Sequence, residues 1–308
     1  MTSPASYTPA PAADFVLPFD LPELSVRGRL VRLAEVSARA LCAHALSESP
    51  ARIAAETLSL SALLGSALKL DGRMMVQTKS AGALDLIASD YYGANGEIPA
   101  GLRGYARVDE ARAAALGPAA KFADLAGAGS LGITIEPRVS GPGGGQSYQG
   151  IVELSPEGIA ASAETYFAQS EQLPTLIRLA AAPVFEPGRA VQWRSGGLML
   201  QHTADAARHA DDWERLKMFV ASIEDIELVD TALKAEDLLW RLFHEDEVVV
   251  LPFETLAFRC ECDGGRIAGV LRSYAAEERA GLADPDGIIR ARCEFCGTVH
   301  EIAPGALG

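Results

Sequence analysis

Between Val26 and Arg32 the stretch VRGRLVR alternates apolar and polar positions, the period of two expected of a half-buried strand. The spacing then lengthens. Residues 34–46 and 51–68 are rich in Ala and Leu and predict two helices, the second closed by LDGR. Short strands follow over 74–78 (MMVQT), 83–88, 102–108, 133–136 and 148–154, each bounded by Gly, Pro, Asn or Asp as in hairpins. GPGGGQS at 141–147 predicts a hairpin loop, and 156–169 a helix with proline in its first turn and Ser155 as candidate N-cap. Apolar runs at 176–184 and 197–201 come next. Strands mixed with segregated helices, without regular βαβ alternation, predict an α+β first domain ending near residue 203.

From 205 to 247 the pattern becomes helical and acidic. Trp213, Leu216, Val220 and Ile223 recur at helical spacing, and LLWRLF at 238–243 is apolar nearly all round. Such helices need a partner surface. They form either a packed helical subdomain or a weakly docked linker whose apolar faces can be uncovered, and the pattern alone leaves both open. The expected layout is a disordered tail over 1–25, an N-terminal mixed sheet-and-helix core over 26–203, a helical linker over 204–257 and a small C-terminal Cys₄ zinc domain over 258–302.

Composition narrows the classes. The 308 residues suit about two domains, and 49% apolar content suffices for a core without disulfides. MTSPASYTPAPAADFVLP lacks a basic start and a continuous apolar run, so it does not read as a signal peptide. Nor is there a run of 18 apolar residues, so no membrane span is expected. A cytoplasmic protein is expected, in which thiols stay reduced and paired cysteines serve metal or redox chemistry. The net charge of −14 argues against nucleic-acid binding.

Four of the five cysteines lie in FRCEC at 258–262 and RCEFCG at 292–297. Cys260, Cys262, Cys293 and Cys296 supply two short-spaced pairs for one tetrahedral site, and four thiolates suit Zn²⁺. Glycines 264, 265 and 297 permit tight turns, while Arg259 and Arg292 can offset thiolate charge or serve as surface residues. A ribbon usually carries two C-x-x-C knuckles, so the single-residue gap of the first pair is unusual. Oxidised, that pair closes a small strained ring, and strained disulfides are the reducible, regulatory ones. A purely structural zinc module and a switch both remain open; a thioredoxin-like catalyst is disfavoured because Cys296 lies twelve residues from the C-terminus.

Other features carry less. Cys42 in AEVSARALCAHAL reads as a buried small hydrophobe. Gly127, Gly129 and Gly132 match G-x-G-x-x-G, but ITIEP follows where a helix should begin, so no dinucleotide site is expected. No phosphate-binding G-x-x-x-x-G-K-[ST] occurs. His44, His202, His209, His244 and His300 are scattered and read as structural or surface residues, with His300 near enough to the cysteines for a supporting role.

FRCEC, RCEFCG and LLWRLFHEDEV, with YFAQSEQLPT, ITIEP, YQGIVEL, GYARV, LKLDGR and GGLMLQ upstream, together resemble the heat shock protein 33 family over about residues 26–302. These are redox-regulated bacterial chaperone holdases. The resemblance implies a non-enzymatic, ATP-independent chaperone, inactive when reduced with one Zn²⁺ on Cys260, Cys262, Cys293 and Cys296. It further implies disulfides Cys260–Cys262 and Cys293–Cys296 on oxidation, zinc release, binding of unfolded client proteins and a homodimer in the oxidised state. Asp263-Gly264 and His300 depart from the common pattern, where many members carry a Ser-Arg-type sequence and an aromatic. An enzyme with a structural zinc tail and a zinc-ribbon adaptor are the rival readings.

Overall fold

The computed structural model describes residues 14–117, 119–138, 146–188, 190–203 and 210–303. The chain forms two compact units, Met1–Phe258 and Arg259–Gly308, and its fold class is α+β. The first unit opens with β1 (Phe15–Leu21), β2 (Val26–Leu33), α1 (Glu35–Cys42) and α2 (Glu48–Ala67). Then come β3 (Gly72–Ser80), β4 (Leu84–Tyr92), β5 (Ala100–Val108), α3 (Glu110–Leu116), α4 (Phe122–Ala126), β6 (Gly129–Pro137) and β7 (Tyr148–Glu153). It continues through α5 (Ile159–Tyr166), β8 (Thr175–Val184), β9 (Gln192–His202), α6 (Ala210–Ala221), α7 (Asp225–Val229), α8 (Ala235–Phe243), β10 (Val249–Val250) and β11 (Glu254–Phe258). Residues 141–145 of the expected hairpin loop and 205–209 of the helical stretch lie outside the described residues.

Among the described residues, one sheet runs β7-β6-β3-β4-β5-β11-β1-β2-β9-β8, with β10 also on β1. Its pairings are antiparallel apart from β11 with β5. The tail expected over 1–25 is corrected from Asp14 onward. Residues 15–21 form a central strand, with Leu17 opposite Leu30 and Phe15 opposite both Arg32 and Thr255. Its polarity hardly alternates because it is buried on both faces, Phe15, Leu17, Phe19 and Leu21 joining one core and Val16 the other. Asp14 anchors it. The buried carboxylate accepts the backbone N–H groups of Ala34 and, at 2.9 Å, Val36, satisfying amides at the start of α1 from about twenty residues away. Burial pushes this carboxyl up, and the Val36 and Ala34 donors pull it back.

Helix α2 covers one face of the sheet, and since strands lie against it on many sides it is small or apolar almost all round. Its Leu58, Leu60, Leu63 and Leu64 pack with Val31, Met74, Leu102 and Met199. The opposite face meets α6, α7 and α8. There Phe19, Leu30, Leu198 and Leu200 join Leu216, Leu238, Leu242 and Phe243, and the rings of Phe19 and Phe243 lie 5.8 Å apart. Phe19 lies across Gly28, where any Cβ would collide with its ring. Two arginines tie the helical layer down. Arg32 donates to the carbonyls of Leu233 and Glu227, the latter at 2.9 Å in the last turn of α7, where helix carbonyls lack intrahelical partners. Arg178 of β8 donates to Asp225 at 2.5 Å and to the Ile223 carbonyl at 3.5 Å.

Three local expectations change. Helix α5 starts at Ile159 with Gly158 as N-cap at φ 133; Ser155 lies in the preceding turn, its hydroxyl accepting the Glu157 N–H at 3.2 Å. Cys42 is exposed rather than buried, because α1 turns Val36, Ser37, Ala40 and Leu41 inward and ends with the thiol outside. The sequence helix at 34–46 is therefore shorter, and the Cys42 thiol bonds the Arg39 carbonyl at 3.2 Å. The G-x-G-x-x-G stretch leads into strand β6, so no helix N-terminus stands ready for a pyrophosphate.

Asp14→Ala removes the long-range cap and is expected to cost about 1–2 kcal/mol, read from the urea midpoint. Glu56 of α2 supplies a pH-dependent prediction. Burial first, then Arg52 opposing, Asp225 adding and Arg178 opposing, leave its carboxyl pushed up to about 7 from 4.5. The folded state thus holds an extra proton between those values, and the stability this proton confers is lost as pH rises through about 7. Glu56→Gln is expected to raise the melting temperature at pH 8 and leave it nearly unchanged at pH 5, by calorimetry.

Candidate metal centre

The second unit encloses little apolar surface. Helices α9 (Gly264–Leu271) and α10 (Ala276–Gly281) and the hairpin β12 (Ile289–Arg292) with β13 (Val299–Ile302) surround a core of Ala268, Leu271, Ile289 and Ile302. Modules below about 70 residues rarely gain enough stability from such a core and usually carry a metal or disulfides. Arg290 reaches Asp284 at 2.7 Å, Asp286 at 2.6 Å and Glu301 at 3.0 Å, but these pairs are solvent-screened and fix the hairpin's geometry more than its stability.

Tight turns place the sulfurs. Cys260 follows two residues after Phe258, the end of β11. Cys262 precedes Asp263, whose carboxylate accepts the Gly265 N–H at 3.0 Å and caps α9. At the tip of the β12–β13 hairpin, the Cys293 N–H donates to the Thr298 carbonyl at 2.8 Å and the Gly297 N–H to the Cys293 carbonyl at 2.9 Å. Gly297 has φ 71, a left-handed conformation that strains residues bearing a Cβ.

These turns bring all four sulfurs within 4.8 Å of one another, with Cys260 Sγ 3.7 Å from Cys293 Sγ and Cys262 Sγ 3.5 Å from Cys296 Sγ. A disulfide needs about 2.05 Å. Four sulfurs about 2.3 Å from a tetrahedral ion stand about 3.8 Å apart, close to the spacing found here. Among the described residues this is the one group of three or more His, Cys, Asp or Glu side chains positioned to share a metal ion. The half-buried donors are four soft thiol sulfurs close enough to share one ion, which fits Zn²⁺. Burial raises the Cys296 thiol, but the Thr298 hydroxyl 3.2 Å away, the Thr298 amide, Cys262 and Cys260 prevail and draw it down to about 6. Burial, then the hydrogen bonds of Cys296 and Cys260, push Cys262 above the ordinary thiol range.

Surrounding residues take smaller parts. Arg259 pairs with Glu261 around Cys260, and His300 lies beside Gly264 at the head of α9. His44, His202 and His244 stand against Tyr105, Trp213 and Trp240; His209 lies outside the described residues. Sequence reasoning missed Thr298 and the capping role of Asp263. For Asp263 the signal was present, since Asp before Gly-Gly and an apolar helical run is an N-cap pattern.

The class so defined is a two-unit α+β protein whose smaller, C-terminal unit is centred on four cysteines. Residues 14–303 match the family model described as Hsp33 protein, a match that takes in β1. A 33 kDa chaperonin of Caulobacter vibrioides is 37% identical over 299 residues, covering 94% of this chain and 95% of the relative. One from Salmonella typhi is 34% identical over 273 residues, covering 89% and 86%. The crystal structure of a 33 kDa chaperonin from Thermotoga maritima shares the fold with a TM-score of 0.74 at 20% identity, covering 96% of each chain. The chain belongs to the Hsp33 family. Among the described residues no helix is long and apolar enough to cross a membrane.

Gly297→Ala is expected to disfavour the hairpin tip by about 1 kcal/mol, read as severalfold faster hydrogen exchange of the Cys293 amide.

Proposed function

We propose that this chain is a cytoplasmic, ATP-independent chaperone holdase, inactive while Cys260, Cys262, Cys293 and Cys296 are reduced and hold one Zn²⁺, and activated when they oxidise and the metal leaves. The observation that carries this reading is four sulfurs within 4.8 Å of one another in a unit whose own core is four residues. Membership of the Hsp33 family supports the chaperone role and the absence of enzymatic chemistry. The metal, when bound, supplies a crosslink among four thiolates contributing on the order of 10 kcal/mol to folding.

In each pair one thiolate attacks peroxide, giving a sulfenic acid and hydroxide; the neighbouring thiol displaces water to form the disulfide, so two thiols and one peroxide give one disulfide and two waters. The pairs Cys260–Cys262 and Cys293–Cys296 are proposed from the family resemblance. Bonding contracts each pair to about 2.05 Å and takes its sulfurs out of the tetrahedral arrangement. The four-residue core then fails to hold α9 and the hairpin. Disorder beginning at Cys260 reaches the end of β11, which pairs with both β1 and β5. Helices α6–α8, the linker proposed over 204–257, then leave the sheet and expose Phe15, Leu17, Phe19, Leu30, Leu198 and Leu200 to unfolding clients. A homodimer forms in this state. The net charge of −14 disfavours nucleic acid as a partner.

The test measures zinc and suppression of client aggregation on one sample before and after warm peroxide, with Cys293→Ser as control. About one zinc per reduced chain is expected, lost as suppression appears, whereas Cys293→Ser binds zinc poorly. Unchanged suppression, or a second unit still folded without metal, overturns the reading.

A further inference from the structure

Four cysteines can join in three ways, and here sequence and fold favour different ones. One residue separates Cys260 from Cys262 and two separate Cys293 from Cys296, so each short tether keeps its sulfurs close in any conformation. The fold adds other partners. Cys260 Sγ lies 3.7 Å from Cys293 Sγ and Cys262 Sγ 3.5 Å from Cys296 Sγ, although 33 and 34 positions part them in the chain. A shift of about 1.5 Å brings either crossed couple to bonding distance, whereas Cys260 with Cys262 must close a small strained ring.

The two kinds of pairing have opposite structural effects. Asp263 caps α9 directly after Cys262, and the Cys293 N–H donates to the Thr298 carbonyl at 2.8 Å to close the hairpin tip. Crossed bonds tie the head of α9 to that tip, the same two turns that a shared metal would hold together, and a crosslink over so long a loop stabilises the folded unit. Neighbour bonds join residues the chain already tethers, so they leave the four-residue core unaided. Once the unit opens, the crossed couples are linked only through more than thirty residues of loop, and their effective concentration falls below that of the neighbours.

We propose that the connectivity records whether the second unit was folded when it was oxidised. Oxidation of the folded unit forms Cys260–Cys293 and Cys262–Cys296, which keep it folded and the chain inactive after the metal has gone; oxidation of the opened unit forms Cys260–Cys262 and Cys293–Cys296. In each crossed couple one sulfur attacks peroxide to give a sulfenic acid and hydroxide, and the facing thiol displaces water, so two thiols and one peroxide give one disulfide and two waters. The inference rests on the redox-switch reading of these cysteines and adds a trapped state to it.

Trypsin reads the outcome directly. Cleavage after Arg259, Arg266 and Arg292 leaves Cys260 and Cys262 on one peptide and Cys293 and Cys296 on another, so neighbour bonds give two separate peptides and crossed bonds give one linked species. Reduced, zinc-loaded full-length protein is treated with peroxide and a zinc chelator in the cold, in the warm, or in urea, and the monomer fraction is digested without reductant for mass spectrometry. The cold sample is expected to hold about tenfold more linked than separate species, fragmenting as Cys260–Cys293 with Cys262–Cys296, and the warm and urea samples the reverse. The cold-oxidised chain should keep the protected amides of the β12–β13 hairpin and show little suppression of client aggregation. Separate peptides after cold oxidation, linkage of Cys260 to Cys296, or a crosslinked unit without protected amides overturns the proposal. The warm sample decides the switch independently: suppression there with only separate peptides in the cold sinks the crossed pairing alone, and linked peptides in the cold without warm suppression sink the switch alone.

Discussion

A sheet with two apolar faces has to be covered twice, and the two covers here differ in kind. Helix α2 is enclosed by strands and buried for most of its length, so it cannot leave without dismantling the unit. The layer of α6–α8 is amphipathic, with Trp240 and Met218 directed outward and a single set of leucines and Phe243 directed in. Each large side chain it shelters on the sheet represents about 1.5–3 kcal/mol of burial. The same face therefore stabilises this packing and, on the proposed function, becomes adhesive when uncovered. Arg32 and Arg178 define the register of the layer, since they grip carbonyls and a carboxylate at fixed points rather than adding greasy area.

The second unit reverses this balance. Its four buried aliphatic residues contribute little, and order comes from turns that aim sulfur atoms at a common centre. On the proposed function such a unit responds to the chemistry of its sulfur atoms more than to temperature or denaturant, because few other interactions remain once those sulfurs change partners. Cores of different origin in one chain allow one part to unfold chemically while the other keeps its shape.

Much of the site was legible in the sequence, since two close cysteine pairs in an acidic chain leave few chemistries open. Helices at 34–46 and 51–68 and the strands between 72 and 154 were readable from Ala/Leu-rich composition and from the turn residues that bound the strands, with ends shifted by several residues. What escaped was long-range. Phe15–Leu21 has little alternation because both faces are buried, and it follows a Pro/Ala-rich opening that draws the eye toward disorder. Asp14 gains its meaning only from Ala34 and Val36, far along the chain. Cys42 was misplaced because an eight-residue helix shows little periodicity beyond its core positions, and the last of these is Leu41.

The place of β1 has a consequence for synthesis. Its neighbours on one side, β10 and β11, are encoded more than two hundred residues later, so during synthesis β1 waits for segments that are made long after it. Until then the greasy strand FVLPFDL is half-paired in the nascent chain, and closure by such distant contacts is slow. A protein of the chaperone family is thus, during its own birth, an exposed hydrophobic chain in need of shelter.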